Sequence, residues 1–478
     1  MSCFTSTRNS NERADTRTAV LNGLCPDGGL YVPEKIPYIE DVGELMSFGY
    51  QKLAEHIISL YFDDIDIGSC VKNAYSTGFD TEEICPLKKA GDLYFLELWH
   101  GPTSAFKDLA LQFLPQIMTA CHEDDRDIVI LSATSGDTGK AALEGFKDVK
   151  GSKITVIYPY RHVSAIQERQ MCTTEGNNTR VLAMKGDFDD CQKMVKDILE
   201  HHHSDRIHLT SANSINIARL IPQIVYYFKA YLDLLKNNVI VKGEKVDFIV
   251  PTGNFGDILA GWLAKRMGLP INRLVCASNM NNVLTDFFKS GVYDADRELH
   301  STMEPSIDIL VSSNLERLLY LAGRDSDRVK ELMKELGEKR SYRIDETLHK
   351  TIREDFLAFW AGEEDIAETI REYYDRYSYL MDTHTATAAS VAARYDSGCR
   401  KIVLSTASPF KFSKDVYRCL CGKETADDLE AMDILSGYTH VPIPENLSSL
   451  KDKKIRFDEV MEKDDRDHLI RILEGEHV

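Results

Sequence analysis

The sequence predicts an α/β protein with more than one parallel sheet, on three observations. From about residue 92, short apolar, β-branched runs alternate with amphipathic helical stretches. Seven or more such units follow one another, too many for one sheet of ordinary size. Several of the apolar runs also end in loops of glycine and hydroxyl residues. Buried strands alternating with helices belong to parallel sheets covered on both faces.

Taken in order, residues 1–91 read as a separate, mainly helical region, with helical stretches from Val42 to Phe62 and an acidic segment, DDIDIGS. The strand pattern DLYFLELWH then leads through HGPTSAFKD, residues 100–108, into the helical run DLALQFLPQIMTACHE. DIVILSAT precedes TGKAALEGFK, KITVIYP precedes VSAIQERQM, and TRVLAMKG precedes DDCQKMVKDILEHHH. RIHLTSA, KVDFIVPTG and RLVCASN each head a further helix. Residues 314–396 read as long, charged and helical, KIVLSTASP from Lys401 returns to a buried strand, and the last forty-odd residues read as a peripheral tail. The expected division is an N-terminal region 1–91, a large α/β domain from 92–126 and 207–478, and a small α/β domain 127–206.

At 478 residues the chain is too long for one ordinary core. Its 43% hydrophobic and 28% charged content is that of a soluble globular protein. A net charge of −19 argues against a nucleic-acid partner, whose phosphates attract basic surfaces. No stretch approaches the ~20 apolar residues of a membrane span, and the first twenty residues carry no secretory or transit signal, so a cytoplasmic location is expected. The eleven cysteines form no CxxC framework and read as free thiols in a reducing compartment, with no metal site. His201, His202 and His203 are consecutive, project about 100° apart on a helix and cannot share one metal.

Lys107 stands out in HGPTSAFKD because it follows turn-forming residues directly ahead of a helix. A lysine there is either a solvated surface residue or, if its surroundings disfavour the ammonium form, a nucleophile toward an aldehyde. Four strand-end loops carry further candidates, since ligands of open parallel sheets bind beyond the carboxyl ends of strands. SATSGDTGK, residues 132–140, could offer backbone N–H groups to an anion; it is no P-loop, because Thr134 and Ala141 stand where glycine and a hydroxyl are needed. PTGNFGD, residues 251–257, reads equally as an anion nest or a simple strand-to-helix turn, with Asp257 capping the helix or holding a backbone N–H. SANSINIARL, residues 211–220, sets Asn213 and Ser214 ahead of Arg219, which suits a phosphate or lies on a solvated helix face. KIVLSTASPF ends a strand in Ser405, Thr406 and Ser408, and His384 in MDTHTATAA is a catalytic group or a cap.

Lys107 with SATSGDTG, NSINIAR and PTGNFGD, in that order, resembles the threonine synthases, pyridoxal-phosphate enzymes of the fold-type II group. FTSTRNS (4–10), PDGGLYVPE (26–34), TMEPSIDILVSSNLERLL (302–319) and LSTASPFKF (404–412) extend the resemblance over nearly the whole chain. Two departures stand out: Thr383 where relatives often carry Pro, and Ser408 where they carry His. The resemblance implies two parallel-rich twisted sheets flanked by helices, like the tryptophan synthase β fold. It further implies that Lys107 holds pyridoxal phosphate in Schiff-base linkage. Gly253, Asn254, Phe255, Gly256 and Asp257 would form the cofactor-phosphate loop, and Thr406 would bond the pyridine nitrogen. Ser135, Asp137 and Thr138 would lie by the substrate carboxylate and the cofactor ring, with Asn213, Ser214 and Arg219 by the substrate phosphate. The implied reaction converts O-phospho-L-homoserine and water to L-threonine and phosphate; the alternative is a phospho-lyase releasing a 2-oxo acid and ammonia. The preferred assembly is a monomer, with a dimer as the alternative.

Overall fold

The computed structural model describes residues 3–475 and is built on two largely parallel sheets. The larger has six strands in the spatial order Phe356–Trp360, Ile271–Ser278, Val246–Pro251, Arg400–Ser405, Leu93–Glu97 and Leu87–Ala90. All its neighbours run parallel except the last pair, a hairpin in which Lys89 lies opposite Tyr94. The smaller has five parallel strands in the order Val460–Met461, Thr179–Met184, Ser152–Pro159, Asp127–Ala133 and Ile207–Thr210. The fold class is the one the sequence predicts.

The central strands are apolar on both faces because helices cover both. Val246, Phe248, Ile249 and Val250 are all fully buried, as are Ile402, Val403 and Leu404 beside them. The helix Ile217–Lys236 is sealed on nearly every side, packing against both Gly256–Arg266 and Tyr50–Ser59, which is why its sequence is apolar all round. Its start is fixed by Asn216, whose side-chain oxygen accepts the Ala218 N–H at 2.9 Å while its amide donates to the Val20 carbonyl at 2.8 Å.

Three features differ from expectation. The N-terminal region adds to its helices a three-stranded antiparallel sheet, Arg13–Ala14, Phe4–Ser6 and Tyr31–Pro33, strands too short to show alternation. There DDIDIGS ends as a cap: Asp66 accepts from the Ser69 N–H and opens the helix Ile67–Tyr75. The stretch 314–396 is not wholly helical, since FLAFW forms the edge strand Phe356–Trp360 of the larger sheet. The C-terminal segment is no peripheral tail. Val460 and Met461 pair with Ala183 and Met184, and the helix Arg466–Leu473 buries Leu469 and Leu473 against the smaller sheet, each contributing about 1.5–3 kcal/mol.

Candidate active site

The site forms because three neighbouring strands of the larger sheet end together. Val246–Pro251, Arg400–Ser405 and Leu93–Glu97 lie side by side, and beyond them come the glycine loop, Thr406 and the lysine segment. The last two are stitched together: the Phe106 N–H donates to the Thr406 carbonyl at 2.8 Å, and the Ser408 N–H to the Ser104 carbonyl at 3.1 Å. Ser104 is left-handed, φ 58°, a strained conformation for a residue other than glycine. Its hydroxyl donates to Asn446 at 3.1 Å, and the Asn446 amide donates to the Gly101 carbonyl at 3.1 Å, so the C-terminal segment fixes the turn ahead of Lys107. Asp108 is buried as the acceptor of the Thr103 N–H and hydroxyl, both at 2.8 Å, and burial pushes its carboxyl up to about 6.

Lys107 heads the helix Lys107–Leu111 and is not a solvated lysine: its side chain is 12% exposed. Its amine lies 4.7 Å from the Phe106 ring centre and 3.7 Å from Asp137 Oδ2. Burial depresses its basicity; Asp137 opposes that, and the Lys411 and Arg219 cations reinforce it. Asp137 opens the helix Asp137–Phe146 beyond the smaller sheet, so the site spans both sheets. Its carboxylate also accepts from Lys411 Nζ at 2.7 Å and Gln167 Nε2 at 2.9 Å, with Ser306 Oγ at 3.5 Å. Burial would raise its pKa, but Lys411 and Lys107 together hold it well below the ordinary carboxylate range. Gly136 beside it adopts φ 144°, and an added Cβ there would lie 2.4 Å from Gln167. Ser135 is exposed at the loop tip and Thr138 half-buried.

Arg219 is also buried, only 4% exposed, which overturns the solvated-face alternative. It reaches back over the preceding loop to donate to the Ala212 carbonyl at 2.9 Å. Its Nε is buried without a partner, and burial pushes the guanidinium down to about 10. Asn213 and Ser214 are half-buried in the preceding loop.

In the glycine loop, Phe255 is left-handed, φ 64°, directly before the helix Gly256–Arg266. Packing of its ring against Phe288 and Phe356, with centroids 5.9 and 5.7 Å away, holds that conformation. A Cβ on Gly253 would meet Ile309 at 3.0 Å and the Ser306 carbonyl at 3.1 Å, so only glycine lets the 306–309 strap pass. The strap is pinned by Asp308, which accepts from Asn279, Asn281 and the Thr302 hydroxyl and N–H at 2.7–2.9 Å. Asp257 does not cap the helix. Its Oδ1 accepts from the Tyr226 and Tyr227 hydroxyls at 2.6 and 2.8 Å, its Oδ2 is unpartnered, and burial pushes it up to about 6.

His384 is neither a free base nor a cap; Asp382 caps that helix. The His384 ring is fixed between Asp382 Oδ2, 2.8 Å from Nδ1, and the Ser306 N–H, which donates to Nε2 at 3.2 Å. Nε2 is therefore an acceptor, and the proton sits on Nδ1. Ser408 caps the turn Pro409–Phe412.

Sequence reasoning missed Lys411, Gln167, Ser306 and Asn446. Lys411 carries the one usable signal, a lysine between Phe410 and Phe412 a few residues beyond a buried strand. The others are polar residues in helices and loops, with nothing local to mark them.

The arrangement can bind two anions and hold an aldehyde: a buried amine 3.7 Å from a shared counter-ion, a helix N-terminus behind a glycine loop, and a guanidinium with an unused donor. Such a set fits a phosphorylated aldehyde cofactor facing a phosphorylated substrate. Family models match the same segments: pyridoxal-phosphate dependent enzyme over residues 85–405, threonine synthase N terminus over 3–75, and threonine synthase C-terminal over 385–470. Threonine synthase from Saccharomyces cerevisiae is 36% identical over 462 residues, covering 88% of this chain and 89% of its own length. Threonine synthase-like 1 of Pongo abelii is 39% identical over 449 residues, 89% of this chain; the chain spans 60% of that relative's length. The crystal structure of pyridoxal-phosphate-bound threonine synthase from Brucella melitensis superposes with a TM-score of 0.90 at 36% identity, covering 100% of this chain and 99% of that one. The chain belongs to the pyridoxal-phosphate-dependent enzymes and, within them, to the threonine synthase family.

Proposed function

We propose that the protein is a lyase that uses pyridoxal phosphate to convert O-phospho-L-homoserine and water to L-threonine and phosphate, the last step of threonine biosynthesis. The observation that carries this reading is Lys107, a buried amine whose nearest carboxylate is 3.7 Å away and already bonded to another lysine. When bound, pyridoxal phosphate supplies an aldehyde that takes up the substrate amine and a conjugated ring that spreads the electron pair left at carbon.

Lys107 would anchor the cofactor and, when free, would serve as the base at Cα and carry the Cβ proton to Cγ. Gly253, Asn254, Phe255 and Gly256 hold the cofactor phosphate through backbone N–H groups at the helix N-terminus. Asp257 belongs to the same helix start but acts through Tyr226 and Tyr227, not as an anion ligand. Thr406, whose backbone is tied to Phe106, offers a hydroxyl to the ring nitrogen. Ser135, Asp137 and Thr138 lie by the substrate carboxylate and the cofactor ring, and Asn213, Ser214 and Arg219 grip the substrate phosphate. The unpartnered Nε of Arg219 supports that assignment, because a buried donor is costly until an anion takes it. The same guanidinium would stabilise the phosphate as its bond to Cγ breaks, and water would supply the hydroxyl at Cβ.

All eleven cysteines are free thiols, which supports a cytoplasmic location. A monomer acting on a small molecule is the proposed assembly. Among the described residues no helix is long and apolar enough to cross a membrane. Incubating the purified protein with O-phosphohomoserine should yield threonine and phosphate in equal amounts; 2-oxobutyrate and ammonia without threonine would replace the synthase assignment with a phospho-lyase.

A further inference from the structure

Two buried lysines share one carboxylate. Asp137 Oδ1 is 2.7 Å from Lys411 Nζ, whereas Oδ2 is 3.7 Å from Lys107 Nζ. The Lys411 side chain is 0% exposed and makes one other bond, to the Thr103 carbonyl at 2.9 Å. It thus ties the lysine turn to the loop of the other sheet. Attraction rises as charges approach, so the contact pair claims the carboxylate. One carboxylate cannot neutralise two ammonium groups, and a buried ammonium without a counter-ion gives up its proton. Gln167 and Ser306 bring only neutral donors to Asp137. The charged groups facing Lys107 are Asp137 and Lys411, Arg219 from the helix Ile217–Lys236, Asp108 from its own helix and Asp257 from Gly256–Arg266.

We propose that Lys411 is a positioning residue that takes Asp137 as its counter-ion and so leaves the Lys107 amine uncharged and ready to attack an aldehyde. The inference rests on Lys107 being the cofactor lysine. Its test is independent of cofactor and turnover: the cofactor-free full-length chain is methylated with formaldehyde and cyanoborohydride across a pH series, and modification of Lys107 is followed by peptide mass spectrometry. Wild-type Lys107 should reach half-modification at lower pH than the exposed lysines. Lys411→Met should raise that midpoint by at least ~1 pH unit, as Asp137 turns to Lys107 alone, and Lys411→Arg should restore it. Asp137→Asn should move it the other way, below wild type. An unchanged or lowered midpoint in Lys411→Met overturns the proposal, as does an upward shift in both Met and Asn variants, the mark of general loosening. If Lys411→Met does not fold, Asp137→Asn decides alone, and a midpoint at or above wild type overturns it. Failure of the cofactor assignment would be read separately, as borohydride trapping on another residue.

Discussion

Replacing Arg219 by Met removes the one buried guanidinium assigned to the substrate phosphate while keeping its apolar stem. In the structure this guanidinium bonds only the Ala212 carbonyl and leaves Nε without a partner. A phosphate in the site would take Nε–H and at least one further N–H, each a hydrogen bond between charged groups worth about 1.5–3 kcal/mol. The two together amount to about 3–6 kcal/mol, so Arg219→Met should lower kcat/KM for O-phosphohomoserine by about 10²- to 10⁴-fold. The fold should tolerate the change, because removing a buried charge that has no carboxylate beside it relieves desolvation. The assay is steady-state phosphate release together with a thermal melt and a cofactor titration monitored by visible absorbance. A kcat/KM within threefold of wild type, or a loss of cofactor affinity larger than the loss of substrate use, would refute the assignment and move Arg219 to the cofactor phosphate.

Three further outcomes follow from the structure. Gly136→Ala puts a Cβ at φ 144°, a conformation side chains rarely adopt, and pushes the end of Gln167 off Asp137, so turnover should fall sharply; steady-state kinetics within threefold of wild type would contradict this. His100 lies between Asp80 and Glu97, at 2.5 and 3.0 Å; burial opposes its charge, but the two carboxylates outweigh that and push it up to about 9. Its folded value exceeds the unfolded one, so its contribution, roughly 3 kcal/mol at most, is full below about pH 6.5 and is lost as pH rises through 9; chemical denaturation across that range should show a decline that His100→Gln lacks. Asp257 acts in the same direction in a lower window. Burial raises its carboxyl to about 6, so the folded state binds its proton more tightly and stability falls as pH rises from about 4 to 6, then levels. Asp257→Asn should flatten that fall in urea titrations of the cofactor-free protein, and an unchanged pH profile would contradict the assigned burial cost.

The sequence revealed what periodicity and strand-end chemistry can carry. Runs such as KVDFIV and KIVLS were legible as buried strands because both faces are apolar, and PTGNFGD and SANSINIAR were legible as strand-end loops. The sequence alone leaves Arg219 between a phosphate ligand and a solvated helix face, and the structure settles its burial one turn inside the helix that Asn216 caps. Lys107 alone was ambiguous, and its burial comes from residues hundreds of positions away: Lys411 holds Asp137, and Asn446 holds the turn at Ser104. No local pattern encodes such pairings. FLAFW and the VM of Val460–Met461 were missed for a related reason, since a short edge strand is defined by the neighbour it pairs with. The loop sequence also left Asp257 open, because its partners Tyr226 and Tyr227 sit on a helix read only as apolar.

The most direct test of the account is to reduce the cofactor-loaded protein with borohydride, digest it and locate the pyridoxyl group. A single labelled peptide carrying the group on Lys107 is expected, with loss of visible absorbance and of threonine formation. A label on Lys411, the other buried lysine at Asp137, or no label at all, would contradict it.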